Sequence, residues 1–374
     1  MTEPMLEPRP LKKGDRIAVI SLSSGILGEP YCTHEKALGV KRLEAFGLEP
    51  VFTAHALSGS KCLWEHPEYR AADLKAAFLD DSISGIICAI GGIDTFRTLP
   101  YLMEDADFIE AVRTHPKLFL GYSDSTCNHL MLYRLGLHTF YGQAFLPDLA
   151  ELSGEMLPYS EAQFRSLFAP YHGRCIRPSA VWYEERKDYS EAAVGTKPAA
   201  QPEQHGYELL QGSPEFEGAL LGGCIDSIGE MLLSDCAEAY AELFAKAGIT
   251  DPEPFRRQGE ITRRYGIFPT AEEWRGKILF AETSETMPEP ERLRQYLGAL
   301  KAEGVLDAVR GIIVGKPMNE QYYEAYKTVW RDAVGNPALP ILYNVNIGHA
   351  APRAILPYGA CVRIDAEKQE IRLI

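Results

Sequence analysis

Through the first third of the chain, short unbroken apolar runs alternate with segments whose apolar residues recur every three to four positions. "DRIAVISLSSG" is such a run, closed by Ser and Gly. In "THEKALGVKRLEAFG", which follows, Ala37, Val40, Leu43 and Phe46 share one side of a helix, with Thr33 as its cap and Gly47 as its stop. "PVFTAH" predicts a second strand and "RAADLKAAFLD" a helix. "SGIICAIGG" predicts a third strand, with "DTFRTLPYLM" opening another helix, and "KLFLGYS" a fourth strand with its helix behind. Strands that are apolar throughout, each followed by a helix, predict a mostly parallel sheet covered on both faces. Ligands gather beyond the carboxyl ends of such strands. Here those ends read "SLSSG", "AIGGID" and "GYSDS".

From about Pro147 to Gln211 the alternation stops and Pro, Glu and Tyr accumulate. "VWYEERKDYSEAAVGTKPAAQPEQHGYELLQGSPEFEG" has no strong period. So long an aperiodic stretch predicts a linker with an excursion near a functional site. Regular elements then return. "GALLGGCIDSIGEMLLS" predicts a Gly-rich loop running into a helix, "GKILFAETSE" a strand ending in acids, and "PEPERLRQYLGALKAEGVL" a helix. "VRGIIVGKP" and "LPILYNVNIGHAAP" predict strands, and "ACVRIDAEKQEIRLI" a closing hairpin. These changes divide the chain into an N-terminal α/β domain over 1–150, a linker and substrate loop over 151–215, and a C-terminal domain over 216–374.

A chain of 374 residues exceeds the usual single domain, and 46% hydrophobic residues can fill a large core. The net charge of -14 disfavours nucleic acid and anionic membrane as partners. The eight cysteines form no C-x-x-C pair, and several sit in apolar runs, as Cys88 does in "GIICAIGG". They read as buried free thiols in a reducing compartment, with no zinc pattern among them. The polar, proline-rich start "MTEPMLEPRPLKKGDR" does not read as a signal peptide, and no apolar run is long enough for a bilayer helix. Cytoplasmic location is the expectation.

The candidate chemistry lies at the strand ends. Ser123 in "GYSDS" stands where a buried strand turns into a helix, as in a nucleophile elbow. Such a corner exposes the hydroxyl and aims unpaired N–H groups at an oxyanion. The second Gly of G-x-S-x-G is absent, and a serine that merely caps the helix fits the same position. A serine needs a base. His349 follows the run "ILYNVNIG" on a loop fixed by Gly348 and the prolines after it. Glu282 ends "KILFAE" and could orient an imidazole, with Glu285 and Glu289 as close rivals. Gly91 and Gly92 in "AIGGID" would let a backbone approach a ligand, or would only make a tight turn.

"RIAVISLSSG", "GIICAIGGIDTFRTLPYL", "FLGYSDST", "GALLGGCIDSI", "ILFAETSE", "GIIVGKP" and "NVNIGHAAPRAILPYG" occur in order and at suitable separations. Together they resemble the LD-carboxypeptidase family of serine peptidases, which includes the microcin C immunity peptidases. The resemblance implies an α/β N-terminal domain, a C-terminal domain with β-barrel character, and a Ser–Glu–His triad on Ser123, Glu282 and His349. It implies an oxyanion hole made by the N–H of Asp124 and of Gly91 or Gly92. It also implies no metal or organic cofactor, and a homodimer. One branch of the family releases D-alanine from murein tetrapeptides; the other cleaves the amide of peptidyl or aminoacyl nucleotides. "ETSE" and the "VWYEERKDYSEAAVG" segment look more like the second branch, where a tryptophan stacks on the nucleobase. Trp182 is the matching residue. The rival from another class is a non-catalytic protein that holds a small ligand between two lobes.

Overall fold

A computed structural model describes residues 5–241, 244–245 and 251–374. The first sheet contains β1 (Arg16–Ile20), β2 (Glu49–Phe52), β3 (Ile83–Cys88), β4 (Leu118–Gly121) and β5 (Thr139–Tyr141). These five pair in parallel in the order β5-β4-β3-β1-β2. β4 is buried along its whole length, as expected of a strand covered on both faces. The chain leaves β1 for β2 on one side and returns to β3 on the other. The carboxyl ends of β1 and β3 therefore bracket a topological switch point, where open α/β sheets leave a crevice.

The aperiodic middle is ordered by specific hydrogen bonds. It holds a helix at Pro158–Arg165 and the short strands β6 (Cys175–Ile176), β7 (Val181–Tyr183), β8 (Ala200–Pro202) and β9 (Glu208–Gln211). β7 and β8 form an antiparallel ribbon that pairs Trp182 with Gln201. Tyr183 N donates to Ala351 O at 2.9 Å, and Glu185 N to Asn319 Oδ1 at 2.8 Å. The excursion thus lies against the loop that carries His349.

The second sheet adds β10 (Glu215–Cys224), β11 (Lys277–Glu282), β12 (Gly311–Gly315) and β13 (Ile341–Val345), which pair in parallel. β14 (Leu356–Tyr358) follows, and then the hairpin of β15 (Cys361–Asp365) and β16 (Glu370–Leu373). The full order is β6-β16-β15-β10-β11-β12-β13-β9. The fold is therefore mixed α/β, with a parallel N-terminal sheet and a second sheet-rich C-terminal domain. One expectation is corrected here: the Gly-rich segment before the helix Ile225–Leu233 is a central strand, not a loop. The glycines permit close approach. A Cβ on Gly222 would fall 1.7 Å from Phe280 O, and one on Gly223 would fall 2.4 Å from Thr126 Oγ1. Another concerns the thiols: all eight cysteines are free, but Cys361 is exposed and Cys62 and Cys175 are only half-buried.

The two sheets share one hydrophobic core. Tyr141 of the first packs on Phe280 of the second at 5.1 Å between ring centroids. β14 leaves the C-terminal part of the chain to pair antiparallel with β5, at the edge of the first sheet. No helix among the described residues is long and apolar enough to cross a membrane.

Candidate active site

β4 ends at Gly121, Tyr122 is extended, and Ser123 adopts φ 65° before the helix Thr126–Arg134 begins. A non-glycine residue with positive φ is costly and is held only where its surroundings enforce it. Thr126 Oγ1 donates to Ser123 O at 2.7 Å, and Ser125 Oγ donates back to Tyr122 O at 2.9 Å. Ser125 is thereby turned into the fold, while Ser123 stays half-buried at the surface of the crevice.

β11 delivers Glu282 to the same place, 1% exposed. The loop after β13 delivers His349. His349 Nε2 lies 3.0 Å from Ser123 Oγ, and His349 Nδ1 lies 2.7 Å from Glu282 Oε2. The backbone N–H of His349 also donates to Glu282 Oε2, at 3.2 Å. Gly348, at φ 83°, permits this: a Cβ there would sit 2.2 Å from the Glu282 carboxyl. Three further residues hold the arrangement. Tyr141 Oη donates to Glu282 Oε1 at 2.6 Å and accepts from Ser123 N at 3.2 Å. Arg353 donates to Gly348 O and His349 O, and pairs with Asp148 at 2.9 Å. Asp226 accepts from Ser284 N at 3.0 Å and from Ser284 Oγ at 2.8 Å, pinning the turn after Glu282. Arg353 and Asp226 lie inside quoted motifs, but the partners Asp148 and Ser284, like Glu282 for Tyr141, come from distant parts of the chain.

Gly91 packs on the elbow; a Cβ there would meet Ser123 Cβ at 2.7 Å and Asp124 N at 3.3 Å. Gly92 faces Ser23 instead, so the two glycines occupy different surroundings. The Asp124 carboxylate accepts from Thr95 N at 2.9 Å, tying the glycine loop to the elbow. Burial pushes its pKa up to about 6 against the pull of those hydrogen bonds. Trp182 stands apart on β7. Its ring lies over Lys316 Nζ at 5.1 Å, and Lys316 is held by Glu203, Glu320 and Asn344. Neighbouring strand residues point to opposite faces, and Tyr183 lines the cavity beside His349.

Glu285, a rival for the acid, touches the other imidazole nitrogen. Its Oε2 lies 3.0 Å from His349 Nε2. Burial draws the His349 imidazole down, but Glu282 and then Glu285 outweigh it and hold it at about 10. Burial pushes the Glu285 carboxyl up, yet pairing with His349 carries it down to about 2. Its side chain is 58% exposed, so water screens that pairing. Cys224, Glu282 and His349 form a cluster of metal-ligand type among the described residues. Both Glu282 oxygens already accept from Tyr141 and His349, and burial keeps the Cys224 thiol protonated.

Two cavities meet here. One, beside His349, is lined by Glu35, Glu151, Tyr183, Glu184, Tyr189 and Arg353. The other, of about 990 Å³, shares Glu35, Leu146, Pro147 and Tyr189 with it and reaches Ile90 and Tyr31. Their combined shape suits a small organic substrate of more than one part.

Residues 17–142 match the LD-carboxypeptidase N-terminal domain, and residues 260–364 match the LD-carboxypeptidase C-terminal domain. The chain is 26% identical over 372 residues to a probable murein peptide carboxypeptidase of Bacillus subtilis, covering 98% of this chain and 93% of that protein. It is 24% identical over 318 residues to the microcin C7 self-immunity protein MccF of Escherichia coli, covering 81% and 77%. Among solved structures it resembles an MccF-like protein from Streptococcus pneumoniae in complex with AMP. The TM-score is 0.88 at 43% identity, covering 96% of this chain and 99% of that one.

Proposed function

The chain belongs to the LD-carboxypeptidase family and is a serine peptidase; within that family we propose that it cleaves the amide of peptidyl or aminoacyl nucleotides with a Ser123–His349–Glu282 triad. The observation that carries the triad is His349 bridging Ser123 at 3.0 Å and Glu282 at 2.7 Å, with the serine on a positive-φ elbow. Ser123 Oγ attacks the carbonyl carbon, and its proton passes to His349 Nε2. Glu282 fixes the Nδ1–H tautomer and stabilises the imidazolium. The N–H groups of Asp124 and Gly91 receive the oxyanion. His349 then gives its proton to the leaving nitrogen, and water, activated by the same base, releases the acyl group.

The nucleotide substrate class is supported by the AMP complex of the Streptococcus pneumoniae relative and by the large second cavity. The murein reading is favoured by the Bacillus subtilis relative and by the carboxypeptidase names of the matched domains. Purified protein assayed side by side on an aminoacyl sulfamoyl adenosine and on a murein tetrapeptide decides between them. Release of D-alanine without cleavage of the nucleotide conjugate would assign the protein to the murein branch. Ser123→Ala removes the nucleophile and is expected to lower turnover by about 10⁴-fold in a folded protein. Activity above about a tenth of wild type, a difference of only ~1.4 kcal/mol, would remove Ser123 from the role. A fluorophosphonate is expected to give one adduct, on Ser123; a non-catalytic binding protein would give none. Cytoplasmic location and the homodimer belong to the same proposal, the latter tested by light scattering of the purified protein.

A further inference from the structure

We propose that Glu285 is the specificity residue that recognises a free α-ammonium group next to the scissile carbonyl, so that the preferred substrates are aminoacyl amides with an unblocked amine. This rests on the triad reading above. Glu285 Oε2 and Ser123 Oγ both lie 3.0 Å from His349 Nε2, so the carboxylate is within two hydrogen-bond lengths of the nucleophile. In an aminoacyl substrate the α-nitrogen is two covalent bonds from the carbonyl carbon that Ser123 attacks. A group at that separation falls within reach of Glu285.

The carboxylate is also built to be reached. It stands at the apex of a turn closed by Met287 N donating to Ser284 O at 3.1 Å, with Met287 at φ 47°. The residues on either side, Ser284 and Thr286, bond to the buried Asp226, which fixes the turn and leaves its apex free. The Glu285 side chain is 58% exposed, and among the described residues no side chain but His349 pairs with it. The wall of the adjoining cavity adds Glu35, Glu151, Glu184 and Glu185; of its two arginines, Arg186 answers Glu151 and Arg353 is answered by Asp148. The field at the entrance therefore favours a cation.

Without substrate, Glu282 at Nδ1 and Glu285 at Nε2 together favour the charged form of His349, and a charged imidazole cannot accept the serine proton. A substrate ammonium would take over the carboxylate and free Nε2 to lose its proton to solvent. Binding and activation would then be one event, and a substrate with a blocked amine would leave the base occupied.

The test is kcat/KM for an aminoacyl sulfamoyl adenosine and its N-acetyl derivative, on wild type and on Glu285→Gln. Charge-assisted hydrogen bonds of this kind correspond to a wild-type preference for the free amine of about 10- to 100-fold. Glu285→Gln is expected to bring the ratio to about 1. A ratio near 1 in wild type, or a preference that survives in Glu285→Gln, would overturn the proposal and leave the hydrolase standing. Failure of wild type to cleave either compound would overturn the nucleotide reading as well, and adduct formation on Ser123 would then show whether the triad itself survives.

Discussion

His349 is the residue on which the site turns, because its two ring nitrogens face different acids. Nδ1 meets the buried Glu282 and Nε2 meets the exposed Glu285 as well as Ser123. Both anions favour the imidazolium, so the pKa stands at about 10, above the usual 6.5. The base is free only above its pKa, and removing an anion lowers that pKa. The rate of Ser123 phosphonylation, which involves no substrate amine, is therefore expected to rise with pH along a limb that moves to lower pH in Glu285→Gln. Glu282→Gln should instead be slow at every pH, since an amide at Nδ1 favours the wrong tautomer. A limb that stays in place in Glu285→Gln would mean that Glu285 does not govern the base. The same raised pKa links to stability: the imidazolium contributes fully below about pH 6.5, and the contribution is lost as pH climbs through about 10. The urea-unfolding gap between wild type and His349→Gln should narrow over that window. Ser123 and Glu282 could be singled out in the sequence because each sits at or just past a strand end, and His349 because it lies on the loop after one; their grouping as a triad came from the resemblance, which chose Glu282 over Glu285. The role of Tyr141 was not legible, since it acts on a residue 141 positions away. Arg353 lies inside the motif that carries His349, but its pairing with Asp148, 205 positions away, leaves no mark in the sequence.

At the scale of elements, glycine positions separate packing from catalysis. A Cβ on Gly91 would press on Ser123 Cβ at 2.7 Å, where the strained elbow cannot retreat. Gly91→Ala is expected to fold, because the clash is with a side chain at the surface of the crevice, yet to lose about 10²-fold or more in kcat through a displaced nucleophile and oxyanion hole. Normal kcat in Gly91→Ala would separate that loop from the reaction. Gly298 is the counterpart. It is exposed in the helix Pro290–Ala302, and a Cβ there would meet nothing within 4 Å. Gly298→Ala should raise unfolding free energy by about 0.5–1 kcal/mol and leave activity alone, which urea titration checks. β1 to β4 were legible because apolar runs of that length admit one reading once helices follow each of them, whereas β5 and β14, three residues each, are too short to show a pattern. β10 was not legible either. Its glycines look like a loop, and only the backbone of Phe280 and the side chain of Thr126, both remote in sequence, show that they are there for close approach.

Across the whole molecule, the division into successive stretches of chain describes the order of elements better than it describes the sheets. β14 is drawn from the last third to cover β5, and β6 from the middle joins β16. The crevice is consequently built from all parts of the chain: the elbow from the first sheet, Glu282 and His349 from the second, and the wall from the aperiodic excursion. That excursion offers two aromatic platforms for a nucleobase. Trp182 has Lys316 beneath its ring and belongs to a ribbon bonded to the His349 loop. Tyr189 lies between the two cavities and is 52% exposed. Stacking on a base contributes on the order of 1–3 kcal/mol, or roughly 5- to 150-fold in kcat/KM. If Trp182 carries the base, Trp182→Ala loses that factor on an aminoacyl sulfamoyl adenosine and almost nothing on a dipeptide with the same scissile amide, while Tyr189→Ala changes little. The reverse pattern would put the base in the larger cavity and leave Trp182 as the partner of Lys316. Equal losses on both substrates in Trp182→Ala would mean that the ring only packs the ribbon, and that the position of His349 depends on that packing.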